Sequence, residues 1–436
     1  MNHTTEINDK GLMEKLQSRR APLLKVAVFV LTAWAVGAVA AEQNSAQEPP
    51  TSKDQRIINS PYEEPHEQWH NHIVVNCDAG QSLNNAIAKL NKQIPDTVTV
   101  QGTCTEYVTI AGFENLTVKS TSGATLVQPG LAPSNLFVTL LRINASRSVT
   151  IDGLSFTSDA SKPPVIGIGA ESIDVRLRNL NIVGGSVGIF AFETSEVSIA
   201  RVNVKNSGWA YVFAVDGSNV HVEDCLLEDS SGTGWHEGIS TENSPVYVRR
   251  TTIRNMQVGL NASFGGSIGL VDFNTYYPAG GVSDVVIENP AGLNYYGVQV
   301  DSGSKVFVSS ARLRILNAGQ PWGGDTAGVK VSASSSFWGT ASLIISGSHG
   351  HGIYVTGNSH AYLDGSSITG SQHGGLVAVN LSTISTNTWD VPTPVSGNAV
   401  DVFCDSRSLI TGAANIVNAS TIQCANLLPV DTPPIP

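Results

Sequence analysis

Charge is scarce in this chain. Only 14% of its 436 residues are Asp, Glu, Lys or Arg, and 25 basic residues stand against 36 acidic ones, a net charge of −11. A nucleic-acid partner is not expected from such a balance, because phosphate binding needs a basic surface. Cysteines number five, with no CxxC and no clustered His spacing, so a zinc site is not expected either. Beyond residue 40 no apolar run is long enough to span a bilayer, and no membrane span is expected in the mature chain. Low charge here does not mean disorder, because 41% of residues are apolar. What abounds is Gly, 42 of them, together with Ser, Thr, Asn and Val, which points to a β-rich, turn-rich chain.

Residues 1–41 read as a secretory signal or, alternatively, a retained membrane anchor. Arg19, Arg20 and Lys25 precede the apolar run Val26 to Ala40, which ends in Ala38-Val39-Ala40. Ser18 to Lys25 also carries a loose twin-arginine pattern, with Pro22 where that motif prefers Phe. Cleavage after Ala40 leaves a mature chain of net charge −13. Residues 42–72 are polar and Pro-bearing, as a linker would be, and residues 427–436 read as a Pro-rich tail. The folded part is expected over 73–426, secreted or periplasmic, as a monomer. In an exported protein the two local pairs Cys77–Cys104 and Cys404–Cys424 read as disulfides, leaving Cys225 unpaired.

Most of the chain obeys one spacing rule, with apolar or small residues at i, i+2, i+5 and i+7. It runs through Val149, Ile151, Leu154 and Phe156, then recurs from Val175, Val197, Val220, Val246, Val306, Trp338 and Ala361. In the Trp338 copy the inward set is Trp338, Thr340, Leu343 and Ile345. Each unit gives two short strands with one face inward, joined by a sharp corner. A third strand precedes it, marked by Gly, an apolar residue, any residue and a small or apolar one, as in Gly238-Ile239-Ser240-Thr241 and Gly259-Leu260-Asn261-Ala262. Three short strands repeated every 22–26 residues describe a parallel β-helix, an all-β solenoid whose rungs share one core.

Aligned rungs support this register. One outward column reads Arg201, Asp224, Arg250, Asp284, and another reads Lys205, Glu228, Arg254, Glu288. Both alternate in sign, as stacked strands ~4.8 Å apart require. A third column, Asn206, Asp229, Asn255, Asn289, suits left-handed turns. In the same alignment Cys225 falls inward, as a small buried hydrophobe. At the N-terminal end Leu83, Ile87, Leu90 and Ile94 have helical spacing behind Ser82 as N-cap, an amphipathic helix expected to cover the open end of the first rung.

With this helix the segment VVNCDAGQSLNNAIAKLNKQIPDTVTVQGTCTEYVTI (74–110) resembles the capping helix and first turn of right-handed β-helix proteins of the pectate-lyase-like superfamily. The resemblance covers roughly 73–415. It implies glycan chemistry on the outer face of the stack carrying the Gly motif, where Phe190, Phe213, Ser240, Asn261, Gln299, Lys330, Tyr354 and Val377 point outward. The turns entering that stack carry Trp209, Trp235, Tyr295, Tyr296 and Trp322, and the insertion 271–284 carries Tyr276 and Tyr277, so with Tyr354 these rings are candidates for a sugar-stacking shelf.

Candidate catalytic groups follow from the chemistry. Glycoside hydrolysis needs two carboxyl groups flanking the bond. The polygalacturonases of this superfamily place Asp residues before the Gly motif and add Gly-His-Gly. Here Gly350-His351-Gly352 matches, with His349 beside it, but the preceding positions hold Glu237, Val258, Tyr296 and Ala327. Glu237, with His236 and Trp235 before it, is therefore the leading carboxylate. Uronate lyase chemistry needs charge neutralisation and a base, often Ca²⁺ with a basic residue. Lys330 is the candidate base or carboxylate partner. Glu193, Asp216 and Glu242 fall on three successive rungs, with Asp301 later, and are the candidate Ca²⁺ ligands. No complete constellation is visible, so binding of a polysaccharide or cell-surface glycan is the leading reading. A lyase, hydrolase or epimerase is the alternative.

Overall fold

The computed structural model describes residues 71–130, 138–161, 163–230, 235–271, 284–289, 295–309, 311–320, 325–340, 343–386 and 391–428. The expected signal, Tyr276, Tyr277 and Trp322 lie outside them. Among the described residues the chain is almost entirely short strands in three parallel sheets. Sheet A has 15 strands, from Asn71–Asn76 to Leu427–Leu428. Sheet B has 13, from Thr103–Thr105 to Ile416–Val417, and sheet C has 13, from Val108–Ala111 to Ile422–Cys424. The chain visits A, B and C in turn, and each visit pairs with the one before. This is the right-handed parallel β-helix that the spacing rule and the resemblance predict. Strands reach slightly beyond the expected domain, since Asn71, His72, Leu427 and Leu428 all belong to sheet A.

The inward rows form one continuous core. Val175, Val197, Val220 and Val246 are in direct register on sheet A, as are Ile182, Val204, Leu227 and Ile253 on sheet B. All are buried, and so are Cys225, Thr251 and Ser366 at the predicted corner positions. One copy is shifted. Phe337, not Trp338, pairs with Val306 and Ala361, and Gly339, not Thr340, pairs with Val308 and Leu363. Gly339 and Ile345, the register partners of Leu363 and Ile368, are one residue further apart in sequence than that pair, so the spacing rule slips by one and Trp338 faces solvent, 50% exposed.

The sharp A-to-B corners are left-handed single residues: Asn179, Arg201, Asp224 and Arg250 have φ between 44° and 55°. Left-handed backbone costs an L-residue about 1–2 kcal/mol, and these charged corners are held by neighbours. Arg201 donates to Asn179 Oδ1 at 2.7 Å, and Arg250 clasps Asp224 with both Nε and Nη2 while also pairing with Glu223. The expected sign-alternating ladder is thus a series of pairs. Lys205 meets Glu228 at 3.1 Å, Arg254 pairs with Glu288, and Asp284 pairs with Arg312 at 2.7 Å. In the Asn column, Asn206 and Asn255 are left-handed, whereas Asp229 and Asn289 are buried.

Cys77–Cys104 and Cys404–Cys424 are disulfides with Cα separations of 5.1 and 4.5 Å, and Cys225 is free and buried. The predicted helix is short, Leu83–Ile87, with Ser82 Oγ accepting from Asn85 N. Glu106 finishes the cap by accepting from Leu83 N and Asn84 N. Leu83, Ile87 and Leu90 are buried, but the chain leaves the helix at Ala88 and turns through Asn91, so Ile94 does not continue it.

Candidate functional site

The glycine of each sheet C strand has a steric reason. A Cβ on Gly238 would lie 2.5 Å from the carbonyl oxygen of Gly259, and one on Gly259 would lie 2.6 Å from that of Gly297. The same approach recurs from Gly297 to Gly328, Gly328 to Gly352 and Gly352 to Gly375. The strands therefore bend at these glycines, and the residues after them line up in register. Tyr211 occupies this column between Gly188 and Gly238 and is buried in the core instead.

The outward row next to this column is as the sequence predicts: Phe190, Phe213, Ser240, Asn261, Gln299, Lys330, Tyr354 and Val377 are register partners in that order. Its middle is polar and its ends are aromatic. Phe190 stacks on Phe213 at 5.4 Å, and Trp209 meets Phe213 edge-on at 4.7 Å. Trp209 therefore packs into an apolar cluster at one end. At the other end His351 stacks on Tyr354 at 5.2 Å. Over the polar middle, Trp235 lies 5.5 Å from Tyr295, which lies 6.3 Å from Tyr296. The shelf is thus three rings long, and Trp235 is 46% exposed.

Glu237 sits beneath that shelf. It opens the strand Glu237–Glu242 and is only 5% exposed. Its Oε1 accepts from the Trp235 indole N–H at 3.0 Å, and its Oε2 accepts from the Asn261 amide at 3.0 Å. The same amide lies 3.4 Å from Ser240 Oγ. Tyr296 is two strands away in the same register as Glu237. Its hydroxyl accepts from Lys330 Nζ at 3.1 Å, and the ammonium stands 4.9 Å from the Tyr296 ring centre. Asn261 was legible as an outward residue but not as a Glu237 partner, since their register partners are Ser240 and Val258 rather than each other.

The remaining candidates are placed differently. His236 turns to the buried Asp229, with Nε2 3.6 Å from Oδ2. Its position in a turn gave no sign of that direction. His351 accepts from Gly374 N through Nδ1 at 2.9 Å and lies 5.6 Å from His373. Tyr354 is raised above the usual phenol range by burial, then by the charge of Asp325, so that Asp325, Lys330 and Tyr354 share one end of the groove.

Glu193, Asp216 and Glu242 do not form the expected cation cage. Among the described residues only Cys77, Cys104 and Glu106 bring such ligand atoms within 4.8 Å of one another, and those cysteines are bonded together. Glu193 instead accepts from Ala170 N at 2.8 Å. Glu242 is the informative member. Burial raises its pKa above the carboxylate range, and the charges of Glu237, Asp216 and Asp301 raise it further. The strand Glu237–Glu242 thus carries two carboxyls in unlike settings: Glu237 is buried and accepts two N–H donors, whereas Glu242 is half-buried near other acids.

No protein-family model matches the chain, and no curated protein matches it. Among solved structures, the catalytic domain of a GH87 alpha-1,3-glucanase in complex with nigerose matches with a TM-score of 0.53 at 13% identity, over 85% of this chain and 70% of that one. The likeness is one of fold, the parallel β-helix described above. A variant of the same glucanase domain matches this β-helix with a TM-score of 0.52, over the same shares of the two chains. An alginate lyase from Paenibacillus sp. str. FPU-7 matches over 82% of this chain and 99% of that one, but at a TM-score of 0.40 and 11% identity.

Proposed function

We propose that this β-helix is an exported enzyme that hydrolyses a polysaccharide laid across the outer face of sheet C. One observation carries the reading: a nearly buried carboxylate, Glu237, is fixed by Trp235 and Asn261 on the outer face of sheet C, on the same strand as a second carboxyl, Glu242, whose pKa is raised by burial and then by the charges of Glu237, Asp216 and Asp301. Pairs of carboxyls whose environments differ in this way divide the acid and base roles of glycoside hydrolysis. Glu242, protonated, gives its proton to the glycosidic oxygen as the C–O bond breaks. Glu237 takes a proton from the attacking water, or attacks the anomeric carbon itself, and the anomer released distinguishes the two. Trp235, Tyr295 and Tyr296 stack against sugar faces, and Asn261, Gln299 and Lys330 meet hydroxyl or carboxylate groups. A glucanase with this fold acting on a polysaccharide supports the substrate class, and the two disulfides support export. The enzyme reading therefore stands ahead of simple binding.

A second reading rests on the Lys330–Tyr296 hydrogen bond. With a uronate polymer, Lys330 would neutralise the carboxylate and Tyr296 would act on the proton beside it, giving elimination. A panel of neutral and uronate polysaccharides, with and without Ca²⁺, tests both. Hydrolysis releases new reducing ends alone. Elimination also leaves unsaturated, ultraviolet-absorbing ends, and would transfer the chemistry from Glu237 and Glu242 to Tyr296 and Lys330. Retention of a polysaccharide with no new ends would return the protein to the binding class.

A further inference from the structure

The misplaced rung exposes a second feature, on sheet A. One outward row of that sheet can be followed through registered pairs for fifteen coils. It begins with His72, Thr97, Thr117, Thr150, Arg176 and Ser198, and it ends with Ser385, Thr411 and, in the last coil, Leu428. Between Ser198 and Ser385 six successive coils carry His221, Tyr247, Gly269, Phe307, Trp338 and Tyr362. Rings meet at both ends of this segment. His221 stacks on Tyr247 at 5.0 Å, and Trp338 lies 4.7 Å from Tyr362, which lies 4.4 Å from His360. At Gly269 the Phe307 ring occupies the space its missing side chain leaves, 2.4 Å from where a Cβ would stand.

Folding does not demand this row. Its members point away from the core, and the same row is mostly Thr, Arg and Ser elsewhere in the solenoid. We propose that the strip is a second glycan-binding surface, separate from the groove on sheet C, which holds a linear polysaccharide along the solenoid axis. Three observations select that occupant. The strip is one residue wide and about 24 Å long at ~4.8 Å per coil, too narrow for the ~800 Å² that a protein partner usually covers. Its flat ring faces suit the C–H faces of pyranose units, and the coil spacing is close to the advance of one such unit along a chain. Asn219, Pro245, Ser267, Lys305, Ser336 and His360 form the row beside it, and all but Pro245 can bond sugar hydroxyls without a net field of one sign. Phe307, Trp338, Lys305 and Ser336 also line a shallow apolar hollow in this face. The inference holds whether or not sheet C is catalytic, since the two faces share no residue.

The test uses the full mature protein and measures retention on cellulose, chitin, α-1,3-glucan and alginate. Trp235→Ala, which weakens the sheet C site, should leave retention on at least one polymer. Adding Trp338→Ala and Tyr362→Ala should then reduce affinity at least tenfold. In the wild-type background the pair should leave turnover of short oligosaccharides unchanged, and a conservative Trp338→Tyr should restore retention. Unchanged retention in the Trp338→Ala, Tyr362→Ala protein, or no retention of the Trp235→Ala protein on any polymer, would overturn the proposal. A dimer that this pair converts to monomer would overturn it too, and would assign the strip to a second copy of the chain.

Discussion

The glycine column of sheet C makes a prediction whose sign is decisive. Gly259 has an ordinary φ, so an alanine there would adopt the backbone without strain, and by lowering the entropy of the unfolded chain it would stabilise the protein by about 0.4–1 kcal/mol if space allowed. The structure denies that space. The new methyl would stand 2.6 Å from the Gly297 carbonyl oxygen, 2.7 Å from Ile287 Cγ2 and 3.0 Å from Ile287 Cδ1. The first contact is with backbone that pairs in the next coil, so it cannot be relieved by a rotamer change. Overpacking of this kind costs about 1–3 kcal/mol, which outweighs the entropic gain. Gly259→Ala should therefore lower the urea midpoint, a net loss of about 1–2 kcal/mol. It should also disturb Asn261, two residues on, and with it the Glu237 hydrogen bond. A midpoint that is unchanged or raised would refute the steric account of the column.

Three further outcomes are expected. Cys225, buried and with its thiol pushed up to about 12 by desolvation, should resist alkylation until the protein unfolds, and non-reducing peptide maps should link only Cys77–Cys104 and Cys404–Cys424; a Cys225 adduct or disulfide in the native protein would contradict the register. Arg250→Glu removes the clasp on Asp224 and sets three acids together with Glu223, and should cost on the order of 1–2 kcal/mol at low salt; an unchanged melting temperature would count against the paired corners. Activity should fall as pH rises through the raised pKa of Glu242, because the acid is then deprotonated, and Asp216→Asn should move that alkaline limb to lower pH by removing one of the charges that raise it. Stability follows the same sign, because a raised carboxyl destabilises the folded state once it ionises, so stability is lost as pH rises from the unfolded value through the folded one.

The core of this protein was legible because inward positions recur with a fixed period and because parallel stacking puts like positions in register. Val197, Cys225 and Thr251 could be placed from spacing alone, and the outward order from Phe190 to Val377 followed from the same alignment. The failure at Trp338 shows the limit of such a rule. A corner one residue longer reverses the two faces of a strand, and an aromatic ring satisfies an apolar template on either face. The corners themselves were obscure, because Arg201, Asp224 and Arg250 adopt a backbone more typical of Gly or Asn and are stabilised by pairs that only the fold creates. At the groove, Glu237 stood out by its place before Gly238. Its bonds to Trp235 and Asn261, and the turning of His236 to Asp229, depend on loop conformation and strand bending that no period encodes. Stacking places Glu193, Asp216 and Glu242 on adjacent coils, but their carboxylate oxygens do not converge within 4.8 Å, and Glu193 accepts from the Ala170 amide, a bond that no period encodes.

The central claim is that Glu237 acts on substrate in the sheet C groove, and Glu237→Gln tests it most directly. The amide keeps the size of the side chain and an oxygen able to accept from Asn261 or Trp235, but it carries no charge and cannot serve as base or nucleophile. On whichever polysaccharide the wild-type protein cleaves, the variant should lose roughly 10²-fold or more in turnover, with polymer binding and melting temperature close to those of the parent. Full turnover in the Gln variant would contradict the account and remove Glu237 from the mechanism.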